Sequence, residues 1–253
     1  MKITFLGTGT SQGVPVIGCT CEVCRSLDYR DKRFRTSLHL EINQTSIVFD
    51  TGPDFRQQML RESISRLDAV VYTHEHKDHT AGLDDIRPFN FKQQTDIPIF
   101  GTPQVIQQIK TEFSYIFSPK KYPGIPRVLV EEISNQPFKV LGTPFIPIQV
   151  MHHQLPVFGY RINDFTYITD ASYIAPSEIK KIKGSKVMVI NALQIKPHLS
   201  HFTLEEALKL IAEIKPEKAY LTHISHKLGR YQKIQQQLPP NVELAFDGLK
   251  VQL

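Results

Sequence analysis

Residues 73–80 read Thr-His-Glu-His-Lys-Asp-His-Thr and place four potential metal ligands, His74, His76, Asp78 and His79, within a few positions of each other. Imidazole nitrogens and carboxylate oxygens are what a catalytic Zn²⁺-like ion takes, and such sites keep one position open for water. His74 and His76 stand two residues apart, so in extended chain they point to the same side. Asp78 and His79 follow a further bend and suit a second ion. An ordinary polar loop after a strand rarely concentrates ligands this way.

Further donors stand at the ends of other apolar runs. His152-His153 follows the run from Phe145, Asp170 follows Phe165-Thr166-Tyr167-Ile168-Thr169, and His223 follows Lys218-Ala219-Tyr220-Leu221-Thr222. Strand ends in α/β architectures converge on one side of a sheet, where ligands collect. The expected arrangement puts His74, His76 and His153 on one ion and Asp78, His79 and His223 on the other, with Asp170 bridging. Two ions roughly 3.5–4 Å apart activate a shared water and clamp both the attacking and the leaving oxygen of a phosphoryl displacement.

A second cluster is soft. All three cysteines fall in Cys19-Thr20-Cys21-Glu22-Val23-Cys24. An odd, tightly spaced trio makes a poor disulfide framework and a good metal clip. A four-coordinate structural Zn²⁺ there requires one more ligand.

The elements that must position these groups are legible in outline. Residues 2–6 alternate and run into the glycine loop Gly7-Thr8-Gly9-Thr10-Ser11-Gln12-Gly13, which lacks the Gly-Lys-Ser/Thr ending of a phosphate-binding loop and leads into the cysteine clip at about 18–26. Ser37–Ile42 and Ser46–Phe49 form a hairpin across Asn43-Gln44, and the second strand ends at Asp50. A helix covers roughly 54–62, a buried strand Leu67–Tyr72 delivers the ligand loop, and a helix begins over Ala81–Ile86. Ile97–Phe100 is a short strand and Pro103–Phe117 a helix. Thr203 with Glu206 makes a capping box for a helix to Ile214, and Pro216 marks its stop.

The 253 residues, 41% hydrophobic content and mean hydropathy of −0.23 suit one soluble globular domain spanning 1–253. The start has no long apolar stretch of the signal-peptide kind and no run reaches the length of a membrane span, so a cytoplasmic protein without a membrane partner is expected. The net charge of +5 is spread over Asp31-Lys32-Arg33-Phe34-Arg35, Lys120-Lys121 and Lys180-Lys181-Ile182-Lys183. It suits a small anionic substrate, with nucleic acid the less favoured partner.

The pattern His74-x-His76-x-Asp78-His79 with His153, Asp170, His223 and the early Asp50 resembles the metallo-β-lactamase superfamily. The resemblance implies an αββα sandwich of two mixed sheets faced by helices. Gly7-Thr8-Gly9, Gly18-Cys19-x-Cys21-x-x-Cys24, Phe158-Gly159-Tyr160, Leu221-Thr222-His223-Ile224-Ser225-His226 and Phe246-Asp247-Gly248 bring the chain nearer to the phosphoribosyl 1,2-cyclic phosphate phosphodiesterases of phosphonate catabolism. That family's spacing to Phe-Gly-Tyr selects His153 over His152, and its second His in the Thr-His-Ile-Ser-His run supplies the fourth zinc ligand, here His226. It further implies two active-site ions, Zn²⁺ or Mn²⁺, one structural Zn²⁺ and a homodimer. A His placed as His201 contacts the phosphate in similar enzymes and protonates the leaving oxygen, with His198 the competing position. Asp78 would orient or deprotonate the nucleophile, Asp50 would orient a ligand, and His39 would be structural. The resulting expectation is a dinuclear phosphodiesterase acting on a small cyclic phosphodiester. Its alternatives are a ribonuclease Z-like tRNA 3′-processing enzyme, a thioester hydrolase, and a non-hydrolytic cofactor-biosynthesis protein on the same scaffold.

Overall fold

The computed structural model describes residues 1–119 and 122–253; the basic pair Lys120-Lys121 lies outside them. The chain divides into two compact units. One comprises Met1–Gly7, Ser37–Ser134 and Gly248–Leu253, the other Thr8–Thr36 and Asn135–Asp247.

The first unit holds strands β1 (Lys2–Gly7), β2 (Ser37–Ile42), β3 (Thr45–Phe49), β4 (Ala69–Val71), β5 (Ile97–Gly101), β6 (Val128–Glu132) and, last in the chain, β15 (Lys250–Gln252). They make a seven-stranded sheet in the order β15-β1-β2-β3-β4-β5-β6, antiparallel up to β3 and parallel from β3 to β6. The Asn43-Gln44 turn is left-handed at both residues, which matches the twist of a two-residue hairpin. Ile47, Val48, Phe49, Val70 and Val71 are wholly buried, as continuous apolar runs are in parallel strands. Helices α1 (Phe55–Arg61), α3 (Arg87–Gln93) and α4 (Pro103–Glu112) bring Phe55, Met59, Phe89, Val105, Ile106 and Ile109 into that core. The expected helix over 81–86 arrives instead as a short α2 (Lys77–Thr80), a 3-10 turn (Leu83–Ile86) and α3. The expected Pro103–Phe117 helix breaks at Phe113 (φ −111°, ψ 42°), and Ser114–Phe117 (α5) continues after it.

The second unit holds β7 (Phe138–Val140), β8 (Thr143–His152), β9 (Leu155–Ile162), β10 (Phe165–Tyr167), β11 (Tyr173–Ile174), β12 (Val187–Asn191), β13 (Lys218–Thr222) and β14 (Val242–Leu244). Its sheet runs β11-β8-β9-β10-β12-β13-β14, with β7 paired to β8, and becomes parallel from β10 to β14. Helices α6 (Pro176–Ile182), α7 (Leu204–Ile214) and α8 (Tyr231–Gln235) cover it, and Ile182, Ala207, Ile211 and Ile234 enter its core. The capping box of α7 forms as expected: Thr203 Oγ1 accepts the Glu206 N–H, and Glu206 accepts the Thr203 N–H at 2.8 Å. Both sheets are therefore mixed and faced by helices, as the resemblance implies. Among the described residues no helix is long and apolar enough to cross a membrane.

One basic stretch proves to be internal. Arg33 is buried and donates to Thr8 Oγ1 (2.7 Å) and the Ala245 carbonyl (2.6 Å), while Asp31, also buried, accepts the Tyr231 N–H at the start of α8. These charges brace the fold of the second unit rather than face a substrate.

Candidate metal centres

In the first unit the ligand loop is set by one carboxylate. Asp50 stands just past β3 with φ +62° and is fully buried. Its Oδ1 accepts the Thr73 N–H (2.8 Å), and its Oδ2 accepts the Thr73 hydroxyl (2.9 Å) and lies 2.8 Å from His79 Nδ1. Burial raises the Asp50 carboxyl's pKa, and His79 and Thr73 pull it back. Because the Thr73 hydroxyl donates to Asp50, its oxygen is left to accept from His74 Nδ1 at 3.0 Å. Asp50 thus fixes two tautomers, directly at His79 and through Thr73 at His74, and leaves Nε2 of each ring as the ligand atom.

His74 Nε2 lies 3.1 Å from His76 Nδ1, and two nitrogens on a tetrahedral zinc stand about 3.3 Å apart. His79 Nε2 lies 3.3 Å from Asp78 Oδ2, a second pair of donors side by side. His76 is extended (φ −61°, ψ 148°) ahead of α2, which lets His74 and His76 share a side before the chain turns to carry Asp78 and His79. Lys77, between the ligands, is exposed and reaches Glu112 at 3.4 Å. These donors fit divalent ions on geometry and on ligand type.

In the second unit Asp170 takes the corresponding role after β10, again left-handed (φ +56°) and buried. Its Oδ1 lies 3.0 Å from His201 Nε2, its Oδ2 3.2 Å from His223 Nδ1, and Thr169 Oγ1 donates to Oδ2 at 2.6 Å. The turn behind it is pinned by Asn191, which accepts from the Ala171 N–H and donates to the Ala171 carbonyl. The His201 and His223 rings stack at 4.8 Å. His201 is largely buried on Asp170, whereas His198 is exposed, with its Nδ1 3.3 Å from that of His201.

The structure places the two histidines of the 152–153 pair differently. His153 is exposed at φ +56°, in the turn between the paired residues His152 and Leu155. It is His152 that joins Asp170 and His201, with candidate ligand atoms all within 4.8 Å. His152 Nδ1 donates to the carbonyls of Asp170 (3.1 Å) and Ser200 (2.9 Å), leaving Nε2 for a ligand role. Strand parity carried the signal: Ile148 and Val150 are buried while Gln149 and Met151 are only partly so, and the half-buried His152 falls on the same face as Ile148 and Val150. Thr73 and Thr169, which hold the two carboxylates, had no sequence signal beyond their place at strand ends.

The three cysteines and His226 lie together. Sγ of Cys19, Cys21 and Cys24 lie 3.2, 3.4 and 3.5 Å from His226 Nδ1. Sulfur and nitrogen on one tetrahedral zinc stand about 3.6 Å apart, so the set fits such an ion. The Cys24 backbone N–H draws the Cys21 thiol down to about 6 against burial, with His226 assisting, while burial pushes Cys24 up to about 11. The cysteine loop is laced to the histidines by backbone pairing: Ile224 N–H donates to Thr8 O (2.8 Å) and Thr10 N–H to Ile224 O (3.2 Å). Gly9 sits inside that lacing, where a Cβ would stand 2.9 Å from the Phe34 carbonyl.

Residues 45–224 match the family model described as the β-lactamase superfamily domain. A solved structure described as a new diphosphatase from the PhnP family is 37% identical, with a TM-score of 0.93 over 100% of this chain and 97% of that one. The octanoyltransferase of Porphyromonas gingivalis (strain ATCC BAA-308 / W83) is 39% identical over 253 residues, 99% of this chain but 51% of that protein. A ribonuclease Z of Staphylococcus epidermidis (strain ATCC 35984) is 28% identical over 169 residues, 64% of this chain and 49% of that one. The chain thus spans about half the length of the curated relatives it matches. It belongs to the β-lactamase superfamily and has the metallo-β-lactamase fold.

Proposed function

We propose that the chain hydrolyses a small anionic phosphodiester of the 5-phosphoribosyl 1,2-cyclic phosphate kind. Divalent ions, Zn²⁺ or Mn²⁺, would be held in the first unit by His74, His76, Asp78 and His79 and in the second by His152, Asp170 and His223, and a structural Zn²⁺ by Cys19, Cys21, Cys24 and His226. The observation that carries this reading is full-length likeness, at 37% identity, to a diphosphatase, together with a donor set that needs no missing residue. When bound, the ions supply Lewis acidity, lowering the pKa of a water and offsetting charge on the phosphoryl oxygens. Asp50 holds its two histidines ready through Nδ1, so their orientation costs nothing at binding. Asp78 orients the attacking water and accepts its proton. His201 holds a proton at Nε2, 3.0 Å from Asp170, and delivers it to the departing alcohol.

Asp78→Ala should lose turnover of bis-p-nitrophenyl phosphate by at least about 10²-fold while the chain stays folded by circular dichroism. A wild-type rate in that variant overturns the assignment. A second reading, tRNA 3′-processing, is supported by the ribonuclease Z relatives at 28% identity over part of the chain. A panel of a ribose cyclic phosphate, a linear diphosphate and a precursor tRNA separates the two. Adding an octanoyl thioester to that panel tests whether the longer relative's name extends to the segment matched here.

A further inference from the structure

The strand that leads to Asp50 starts beside a polar cleft of the first unit. The cleft has a volume of about 310 Å³ and is lined by Lys2 of β1, His39 and Glu41 of β2, residues 44–46 and the segment 62–66 after α1. From Ser46 to Asp50 is about 13 Å of extended chain, so the cleft lies apart from the ligand loop. One lining group is buried and unsatisfied. His39 is 2% exposed and donates through Nε2 to Ser46 Oγ at 2.7 Å, because the Ser46 hydroxyl is committed to the Arg66 carbonyl. Burial keeps the ring neutral, so its Nδ1 presents a lone pair, and among the described residues that atom has no hydrogen-bond partner. Glu41 Oε1 stands 3.8 Å from it, beyond bonding reach and itself an acceptor. A buried acceptor left unbonded is costly, so a donor belongs there.

The charges around the cleft are already matched. Lys2 pairs with Glu41 at 2.7 Å, Glu62 with Arg61 (2.7 Å) and Lys250 (3.1 Å), and Arg66 with Asp68 at 2.8 Å. A charged ligand therefore meets no unmatched countercharge, whereas Gln44, Thr45, Ser63 and Ser65 add neutral donors and acceptors to the lining. The volume sits at the lower end of the range for small-molecule sites. We infer that this cleft binds a neutral polyol, a sugar ring with a vicinal diol, through one hydroxyl donated to His39 Nδ1 and its neighbour donated to Glu41 Oε1. Two adjacent hydroxyls suit two acceptors that face each other across 3.8 Å. An ammonium group would also satisfy both, but Lys2 already neutralises Glu41. The site involves no reacting atom, so it stands independently of the phosphodiester reading.

The test is titration of the zinc-loaded, isotope-labelled full chain with methyl β-D-glucopyranoside, followed by amide chemical shifts, with tetrahydropyran as the same ring without hydroxyls. The glucoside should give saturable shifts at residues 41–46 and 62–66, with a Kd on the order of 1 mM, and leave 73–80 unmoved. Tetrahydropyran should move neither segment. His39→Leu removes the Nδ1 lone pair and should weaken the glucoside at least about tenfold. Because His39 is buried, Glu41→Met on the half-exposed rim is the second variant; it removes the other acceptor, should weaken binding about threefold or more, and decides alone if His39→Leu fails to fold. Full affinity in either folded variant, equal shifts with tetrahydropyran, or shifts confined to 73–80 would overturn the site. So would the absence of saturable shifts, the mark of a cleft that takes water only.

Discussion

At the scale of single residues, the chemistry depends on which nitrogen of each histidine carries the proton. Asp50 decides this for His79 and, through the Thr73 hydroxyl, for His74. Asp50→Asn is nearly isosteric, but an amide NH₂ in place of Oδ2 donates and can accept from neither the Thr73 hydroxyl nor His79 Nδ1. The variant should remain folded and lose roughly 10–100-fold in active-site metal affinity, read by metal-binding titration. An unchanged affinity would dismiss Asp50 as the orienting group. A second residue-scale prediction concerns the pair at 152–153. His152→Ala should lose active-site metal and activity together, whereas His153→Ala should keep both, measured by elemental analysis and diester turnover. His152 was within reach of strand alternation, because the buried parity of Ile148 and Val150 runs on to it. Motif spacing pointed one residue further, and the chain turns between the two. Asp78 and His79 were plain from the sequence, since their cluster is local, whereas the Thr73 hydroxyl supporting Asp50 emerges only when strand ends meet.

At the scale of elements, the loops after β3 and β4 are held together by close backbone packing. Thr51 N–H donates to the His79 carbonyl at 2.8 Å, and Gly82 N–H to the Thr51 carbonyl at 2.7 Å. A Cβ on Gly82 would stand 2.2 Å from the Gly52 carbonyl oxygen and 2.9 Å from Phe55 Cβ. Its φ of −96° suits any residue, so the constraint is space and not backbone conformation. Gly82→Ala should push the 51–52 segment off α2, destabilise by about 1–3 kcal/mol, and lower metal occupancy by disturbing His79. Denaturant unfolding followed on apo and metal-loaded protein checks both parts, and an unaltered midpoint would contradict the packing argument. The hairpin at 43–44 and helix α7 were legible because turn chemistry and capping are local signals. The broken course from Lys77 to Gln93 was not, because the ligand geometry and the Gly82 contact interrupt what would read as one helix. The Phe113 break likewise had no proline or glycine to announce it.

At the scale of the whole molecule, both sheets follow one plan, antiparallel strands giving way to parallel ones, and each places a left-handed carboxylate just past the strand where the parallel part begins. Charge was the property least legible from sequence at this scale. Arg33 looked like part of a basic surface and is an internal brace, whereas His39, expected to be structural, is buried with a consequence for folding. Its Nε2 meets Ser46 Oγ at 2.7 Å, and because Ser46 donates onward to the Arg66 carbonyl, the ring donates and is neutral. Burial lowers its pKa from 6.5 to about 4, with Glu41 pulling upward and Lys2 downward. The unfolded chain therefore takes up a proton near pH 6.5 that the folded chain refuses until about pH 4. The stability tied to His39 is complete above pH 6.5 and drains as the pH falls to about 4, by roughly 3 kcal/mol at about 1.4 kcal/mol per unit. The metal ligands also titrate on this path, so the comparison must be with a variant. His39→Gln keeps a donor toward Ser46 and removes the titration, and its unfolding free energy should fall less steeply than wild type between pH 6.5 and 4, measured by denaturant titration at each pH with metal chelated from both proteins. Parallel slopes for the two would show that His39 is not the group that couples acid to unfolding.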